Sequence, residues 1–224
     1  MGRPLLLLAF GLCLLGAAPR SAPAQLLPVA LHGLAEVPLT PIVFAVTHNG
    51  SPMGTHRVSF TREGDALIVD IAIRFEVKLA FITLFRYQHD AREVWHGGRL
   101  IAFDSLTDDD GDRFQVAARA TPEGLRVAGT GGSYLAPATT VTSSYWHIGM
   151  IDHGRVLDSQ SGRMIDLVAA PAGTREEIVG GRKEPVRLFR LSGEITGELA
   201  YTARDEWALL RFRARGSEIA YRRE

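Results

Sequence analysis

The densest grouping of polar and aromatic residues in this 224-residue chain is Ser144-Tyr145-Trp146-His147, followed closely by Leu157-Asp158-Ser159-Gln160-Ser161-Gly162-Arg163. Two bulky aromatics after a flexible loop, then a carboxylate, an amide and a guanidinium around a glycine turn, are the mixture that lines the mouth of a cavity. Binding pockets combine apolar walls with a few placed polar groups. Tyr145, Trp146, Asp158, Gln160 and Arg163 are therefore the candidate mouth residues. The same residues have a plainer use, in which Tyr145 and Trp146 plug one end of a solid core and Asp158, Gln160 and Arg163 satisfy turn backbone groups.

Other chemistry is thinner. Asp108-Asp109-Asp110-Gly111-Asp112 looks like a calcium loop, but with Gly111 at the sixth position an EF-hand would begin at Leu106 and end at Ala117, neither of which is acidic. It reads better as a solvated hairpin tip. The seven histidines include no i, i+2 or i, i+4 pair of the kind zinc sites use. His89 and His96 flank Asp90, Glu93 and Trp95 and could meet across a hairpin. A hydrolase would need His147 or His89 as base, oriented by Asp158 or Asp90. No Gly-x-Ser-x-Gly elbow, phosphate loop or dinucleotide fingerprint supplies a nucleophile or a cofactor site, so neither catalytic residues nor cofactors are assigned.

The elements that must position these residues are strands. From Leu67 to Tyr87 every odd-numbered residue except Thr83 is apolar, while Asp70, Arg74, Glu76, Lys78 and Arg86 take even positions. Period two places one stripe on a core and charge in water. At roughly 3.3 Å per residue this run exceeds the usual strand length, so it bends or divides. Near the expected bend the even face also turns apolar at Ala80, Ile82 and Leu84, which predicts a stretch wrapped on both sides or an exposed hydrophobic ridge.

Before this run, Ile42–His48 and His56–Thr61 read as strands around an Asn49-Gly50 hairpin turn, with His56, Val58 and Phe60 on one side. After it come short alternating segments separated by Gly97-Gly98, Asp110-Gly111 and Pro122-Glu123-Gly124. The glycine- and threonine-rich stretch 130–144 and residues 170–187 read as the two long connections, with Gly180-Gly181 a tight turn. Ten or more strands joined mostly by short turns predict an all-β fold, an antiparallel meander forming an open or closed barrel-like sheet. A two-sheet sandwich is the competing architecture.

The first 24 residues carry Arg3, an apolar core from Leu5 to Leu15 and a small-x-small site at Ala22-Pro23-Ala24. Together these predict a cleavable signal peptide cut between Ala24 and Gln25, and hence a periplasmic protein. Residues 25–41 read as a lead-in segment and 42–224 as one β-barrel-like domain. Cys13, the one cysteine, falls within the signal, so the mature chain has no thiol and its stability rests on packing. Losing Arg3 and Arg20 leaves 23 basic against 25 acidic residues. That balance excludes a nucleic-acid partner on charge grounds. No second hydrophobic segment predicts a transmembrane anchor after cleavage.

Phe44-Ala45-Val46, Asn49-Gly50, Gly54-Thr55-His56, Phe85-Arg86-Tyr87, Glu93-x-Trp95, Asp109-Asp110-Gly111, Ser144-Tyr145-Trp146, Leu157-Asp158-Ser159-Gln160 and Gly216-Ser217-x-Ile219-x-Tyr221 carry a resemblance. The chain resembles the domain-of-unknown-function family numbered 6134, an uncharacterised exported proteobacterial family, over nearly all of its mature length. It is more distantly similar to another family of unknown function. The resemblance implies an exported β-rich protein and supplies no activity, cofactor or catalytic residue. It leads one to expect asparagine at position 147, where this chain has histidine.

The function expected from these features is carriage of an apolar, lipid-like ligand, or chaperoning of an envelope component. Phe75, Phe81, Phe85 and Tyr87 would form the wall and Tyr145, Trp146, Asp158, Gln160 and Arg163 the mouth. The alternatives are an interaction module offering residues 79–85 to an envelope partner's sheet edge, and the less favoured His/Asp hydrolase.

Overall fold

The computed structural model describes Val37 and residues 39–130, 132–214 and 216–224. The segments predicted as a signal peptide and, for the most part, as a lead-in lie outside the described residues.

The described strands are β1 (Ile42–His48), β2 (Ser51–Glu63), β3 (Ala66–Leu79), β4 (Ile82–His96), β5 (Arg99–Asp109), β6 (Asp112–Thr121), β7 (Gly124–Gly129), β8 (Gly132–Ala136), β9 (Arg155–Leu157), β10 (Met164–Val179), β11 (Arg182–Gly193), β12 (Gly197–Thr202), β13 (Trp207–Ala214) and β14 (Ser217–Arg223). They form one sheet in the order β8-β7-β6-β5-β4-β3-β2-β1-β14-β13-β12-β11-β10-β9. The all-β, barrel-like meander is what the alternation predicts, and a single sheet takes the place of the alternative sandwich. β1 and β14 pair antiparallel, from Phe44 opposite Arg223 to His48 opposite Ile219. The first and last strands thus meet in mid-sheet, and the two free edges, β8 and β9, are neighbours in sequence.

The sheet is not closed, since no ladder joins β8 to β9. The segment after β8 lies in this gap. Leu157 N–H donates to the Val141 carbonyl at 2.8 Å and Ser143 N–H donates to the Leu157 carbonyl at 2.9 Å. Across the gap, the Tyr134 hydroxyl donates to the Gly162 carbonyl at 2.7 Å. A strand edge left bare would seek another chain, so irregular backbone covering it also protects it.

The long alternating run divides at Ala80-Phe81 into β3 and β4. A two-residue turn pairs Leu79 with Ile82 and Lys78 with Thr83, which sets odd positions opposite even ones. Cross-strand partners share a face, so that register would point one strand's apolar stripe into water. The register shift beyond Val77 corrects it: Leu84 is skipped, Val77 pairs with Phe85, and odd positions then face odd positions back to Leu67 and Trp95. Met53 is the skipped residue between Val46–Gly54 and Thr47–Pro52 in the β1–β2 pair, and plays the same part there.

The main core contains the fully buried Phe44, Leu67, Trp95, Phe103, Leu125, Tyr201 and Trp207. Each such side chain contributes about 1.5–3 kcal/mol by leaving water. A second, smaller cluster (Val179, Val186, Leu188, Ala200, Ala208 and Leu209) lies on the opposite face of β10–β13.

Three expectations are corrected. Residues 170–187 are not a long connection; they are arms of the β10–β11 hairpin, which turns at Gly180-Gly181. Much of β10 is exposed on both faces, so no apolar alternation marked it. Residues 130–144 likewise contain β8. His89 and His96 both lie on β4, seven residues apart in an extended strand, and do not meet across a hairpin.

Candidate functional site

A cavity of about 610 Å³ opens within the barrel, walled by residues of β1–β5, β13 and β14 and by the segments 143–145 and 158–160. Alternation places the wall. Ile71, Ile73, Phe75 and Val77 come from the odd face of β3; Phe85, Tyr87 and His89 come from the same face of β4. Leu210, Phe212, Ile219 and Tyr221 close it from β13 and β14. Phe75 stacks on Tyr87 with ring centroids 5.8 Å apart, and Tyr221 meets Phe75 edge-on at 6.1 Å.

Six of the nine sequence-derived candidates line this cavity: Phe75, Phe85, Tyr87, Tyr145, Asp158 and Gln160. The turn at 158–163 brings the last two there. The Asp158 carboxylate accepts from the Ser161 amide at 3.0 Å and from the Ser161 hydroxyl, and the Asp158 amide donates to the Arg163 carbonyl at 2.8 Å. This knot is held to the barrel by the Ser105 hydroxyl donating to the Ser159 carbonyl at 2.6 Å and by the Tyr87 hydroxyl donating to Gln160 Oε1 at 3.0 Å. Asp158 therefore serves the turn and faces the cavity at once.

Phe81, Trp146 and Arg163 are placed elsewhere. Phe81 occupies the apex of the β3–β4 turn, 93% exposed, because the strand's alternation ends where the turn begins. Arg163 points along the outside and pairs with Glu194 at 2.7 Å. Trp146 is buried in the main core, where its indole N–H donates to Glu93 Oε2 at 2.8 Å.

The divergence of Tyr145 and Trp146 has a backbone cause. Tyr145 has φ 64°, and the Trp146 amide donates to the Ser144 carbonyl at 2.8 Å, a γ-turn centred on Tyr145. This form is rare and strained, at a cost of order 1–3 kcal/mol. It turns Tyr145 toward the cavity, against Trp207 at 5.4 Å, while Trp146 faces Phe60 and Trp95. The Tyr145 carbonyl is held by the Tyr201 hydroxyl at 2.8 Å.

Glu93 is a buried carboxylate. Besides Trp146 it accepts the indole N–H of Trp95 at 2.8 Å and bonds the Thr142 hydroxyl, which in turn bonds Ser144 Oγ at 2.8 Å. Burial raises its pKa while these hydrogen bonds lower it, with burial the larger effect. The motif Glu93-x-Trp95 was visible in the sequence, but nothing there tied it to residues 142–146.

His56 was legible only as one residue of a buried face. It is 3% exposed, lines the cavity, and neither ring nitrogen has a hydrogen-bond partner. Phe44, Trp207 and Tyr221 surround it with centroids 5.1–6.5 Å away. Burial, aided by the neighbouring His89, lowers its pKa to about 3. His89 bonds Thr107 Oγ1 through Nδ1 at 2.8 Å and is also neutral, its pKa lowered to about 4 chiefly by burial. Neither proposed catalytic pair forms a His–carboxylate hydrogen bond: His147 Nδ1 accepts from the Gly149 amide, and Asp90 pairs with Arg74. Among the described residues no cluster of three or more His, Cys, Asp or Glu could hold a metal.

The family model for the domain of unknown function DUF6134 matches residues 44–224. A similar solved structure is a β-barrel-like protein of the domain of unknown function DUF1849 from Brucella abortus, with a TM-score of 0.58 and 8% identity, over 82% of this chain and 94% of that one. At that identity the likeness concerns the fold alone. No curated protein matches the sequence.

Proposed function

The chain belongs to the DUF6134 family, and on that premise we propose that its mature form is an exported periplasmic protein that carries an apolar, lipid-like ligand in the barrel cavity. The observation that carries the reading is the cavity itself. About 610 Å³ lies within the range of small-molecule sites, and its walls join aliphatic and aromatic side chains to a few polar ones. Six residues take the ligand-binding role from the sequence-derived set: Phe75, Phe85, Tyr87, Tyr145, Asp158 and Gln160. The signal-like N-terminus supports export.

Native mass spectrometry tests this on protein taken gently from its own periplasm, before and after denaturation. Extra mass that disappears on unfolding is the expected result. A bare chain, with no uptake of an uncharged apolar dye, overturns the reading.

The exposed tip of the β3–β4 hairpin supports a second role, docking to an envelope partner. Phe81, Ile82 and Leu84 are all exposed there, and Leu84 also touches the cavity. The flanking ladders end at Gly54–Phe75 and Tyr87–Asp109, so residues 79–85 extend past both neighbouring strands and suit addition to a partner's sheet edge as well as docking by apolar side chains.

A further inference from the structure

The cavity lining contains Asp109, Asp110 and Asp158 and, among the described residues, neither lysine nor arginine, although lysine and arginine together number 25 in the chain. The arginines of the neighbouring strands are drawn outward into pairs such as Arg74–Asp90 and Arg92–Asp70. Tyr87 and Tyr145 are close enough to Asp158 to feel its charge, and Tyr221 and Phe75 continue the aromatic wall. Aromatic faces are negative and attract cations, more so where water is excluded. The third observation is His56, an almost fully buried side chain of the lining whose two nitrogens have no partner in the protein. An unsatisfied buried polar group is costly and calls for an explanation.

We infer that the ligand of this cavity is an amphiphile with a cationic head, an ammonium seated against Tyr87, Tyr145 and Asp158 with its alkyl chain along Ile73, Phe75 and Phe212. The inference rests on the reading of the cavity as an apolar-ligand site and adds the charge of the head group. A fatty acid fits poorly, because its carboxylate would face Asp158 with no guanidinium or ammonium in the lining to neutralise it. Buried, neutral His56 and His89 add no positive charge and leave acceptor nitrogens for any N–H the head carries.

The test is calorimetric titration of the mature protein with three probes of one chain length: octyltrimethylammonium, octanol and octanoate. The ammonium is expected to bind tightest and octanoate weakest, with a gap of at least about tenfold. Asp158→Asn is expected to reduce affinity for the ammonium more than for octanol. Because Asp158 also ties its turn, Tyr87→Leu provides a second measurement, with the same selective loss expected. Octanoate binding as tightly as the ammonium overturns the inference and leaves the apolar-ligand reading standing. Failure of all three probes to bind, together with failure to take up an uncharged apolar dye, overturns the cavity reading itself.

Discussion

Glu93 and Trp146, 53 positions apart, are joined by an indole N–H···carboxylate hydrogen bond of 2.8 Å inside the main core. The same carboxylate holds Trp95 on its own strand, so one acid fixes the segment that covers the open seam to β4, an interior strand of the sheet. Removing it leaves two indole N–H groups without an acceptor and the Thr142 hydroxyl with Ser144 alone. We expect Glu93→Ala to cost about 3–5 kcal/mol and Glu93→Gln, which retains one acceptor, about 1–3 kcal/mol. Urea unfolding followed by tryptophan fluorescence measures both. A loss below about 0.5 kcal/mol for the alanine variant would show that the bond is incidental.

His56 and His89 make the fold acid-sensitive. Their folded pKa values, about 3 and about 4, lie below the ordinary 6.5. The unfolded chain therefore binds protons that the native state refuses, and stability falls as pH drops below 6.5. At pH 5 each costs about 2 kcal/mol. Glu93 works in the opposite sense, because a raised carboxyl pKa favours the native state as acid is added. Comparing unfolding free energies at pH 7.5 and pH 5 in Glu93→Gln removes this opposing contribution and leaves that of the buried histidines, His147 included, whose pKa burial also lowers to about 4. If the two values agree, burial of these imidazoles is not what the titration senses.

Replacing His56 by Phe removes two unpartnered nitrogens from an aromatic nest. The expected result is a gain of about 1–3 kcal/mol at pH 7.5 and a smaller difference between the two pH values. A loss of stability in the apo protein would mean that the ring is paired in a way the surrounding side chains do not reveal.

Gly54 sits at the β1–β2 irregularity with φ 153°, and a Cβ there would lie 1.9 Å from the Arg74 carbonyl oxygen. β3 backbone cannot yield without moving Phe75, its partner in the ladder. Gly54→Ala should lose at least about 2 kcal/mol, which for a domain of this size lowers Tm by about 4–8 °C. A calorimetric scan that leaves Tm unmoved rejects the close approach.

Ala214 lines the cavity and Phe81 does not. Ala214→Trp should fill the space and reduce uptake of an uncharged apolar dye at least tenfold, on the order of 1.4 kcal/mol. Phe81→Ser should leave dye uptake as it is and stability within about 0.5 kcal/mol, as for an exposed side chain. The opposite pattern would move the binding site to the hairpin tip.

The amino-acid sequence by itself determined that this is a β protein. Alternation from Leu67 to Tyr87, glycine-bearing turns and the Asn49-Gly50 hairpin fix which side chains share a face, because the strand period is two whatever lies opposite. For that reason Phe75, Phe85 and Tyr87 could be read as one wall. Parity does not tell what the wall faces, nor where alternation yields to a turn, as at Phe81. The opposite destinations of Tyr145 and Trp146 follow from one left-handed backbone angle that no spacing announces. His56 meets Tyr221, and Glu93 meets Trp146, only because β14 returns to β1 and the seam is covered from within. Those contacts join residues 53 to 165 positions apart, and only the course of the chain around the barrel-like sheet sets them side by side.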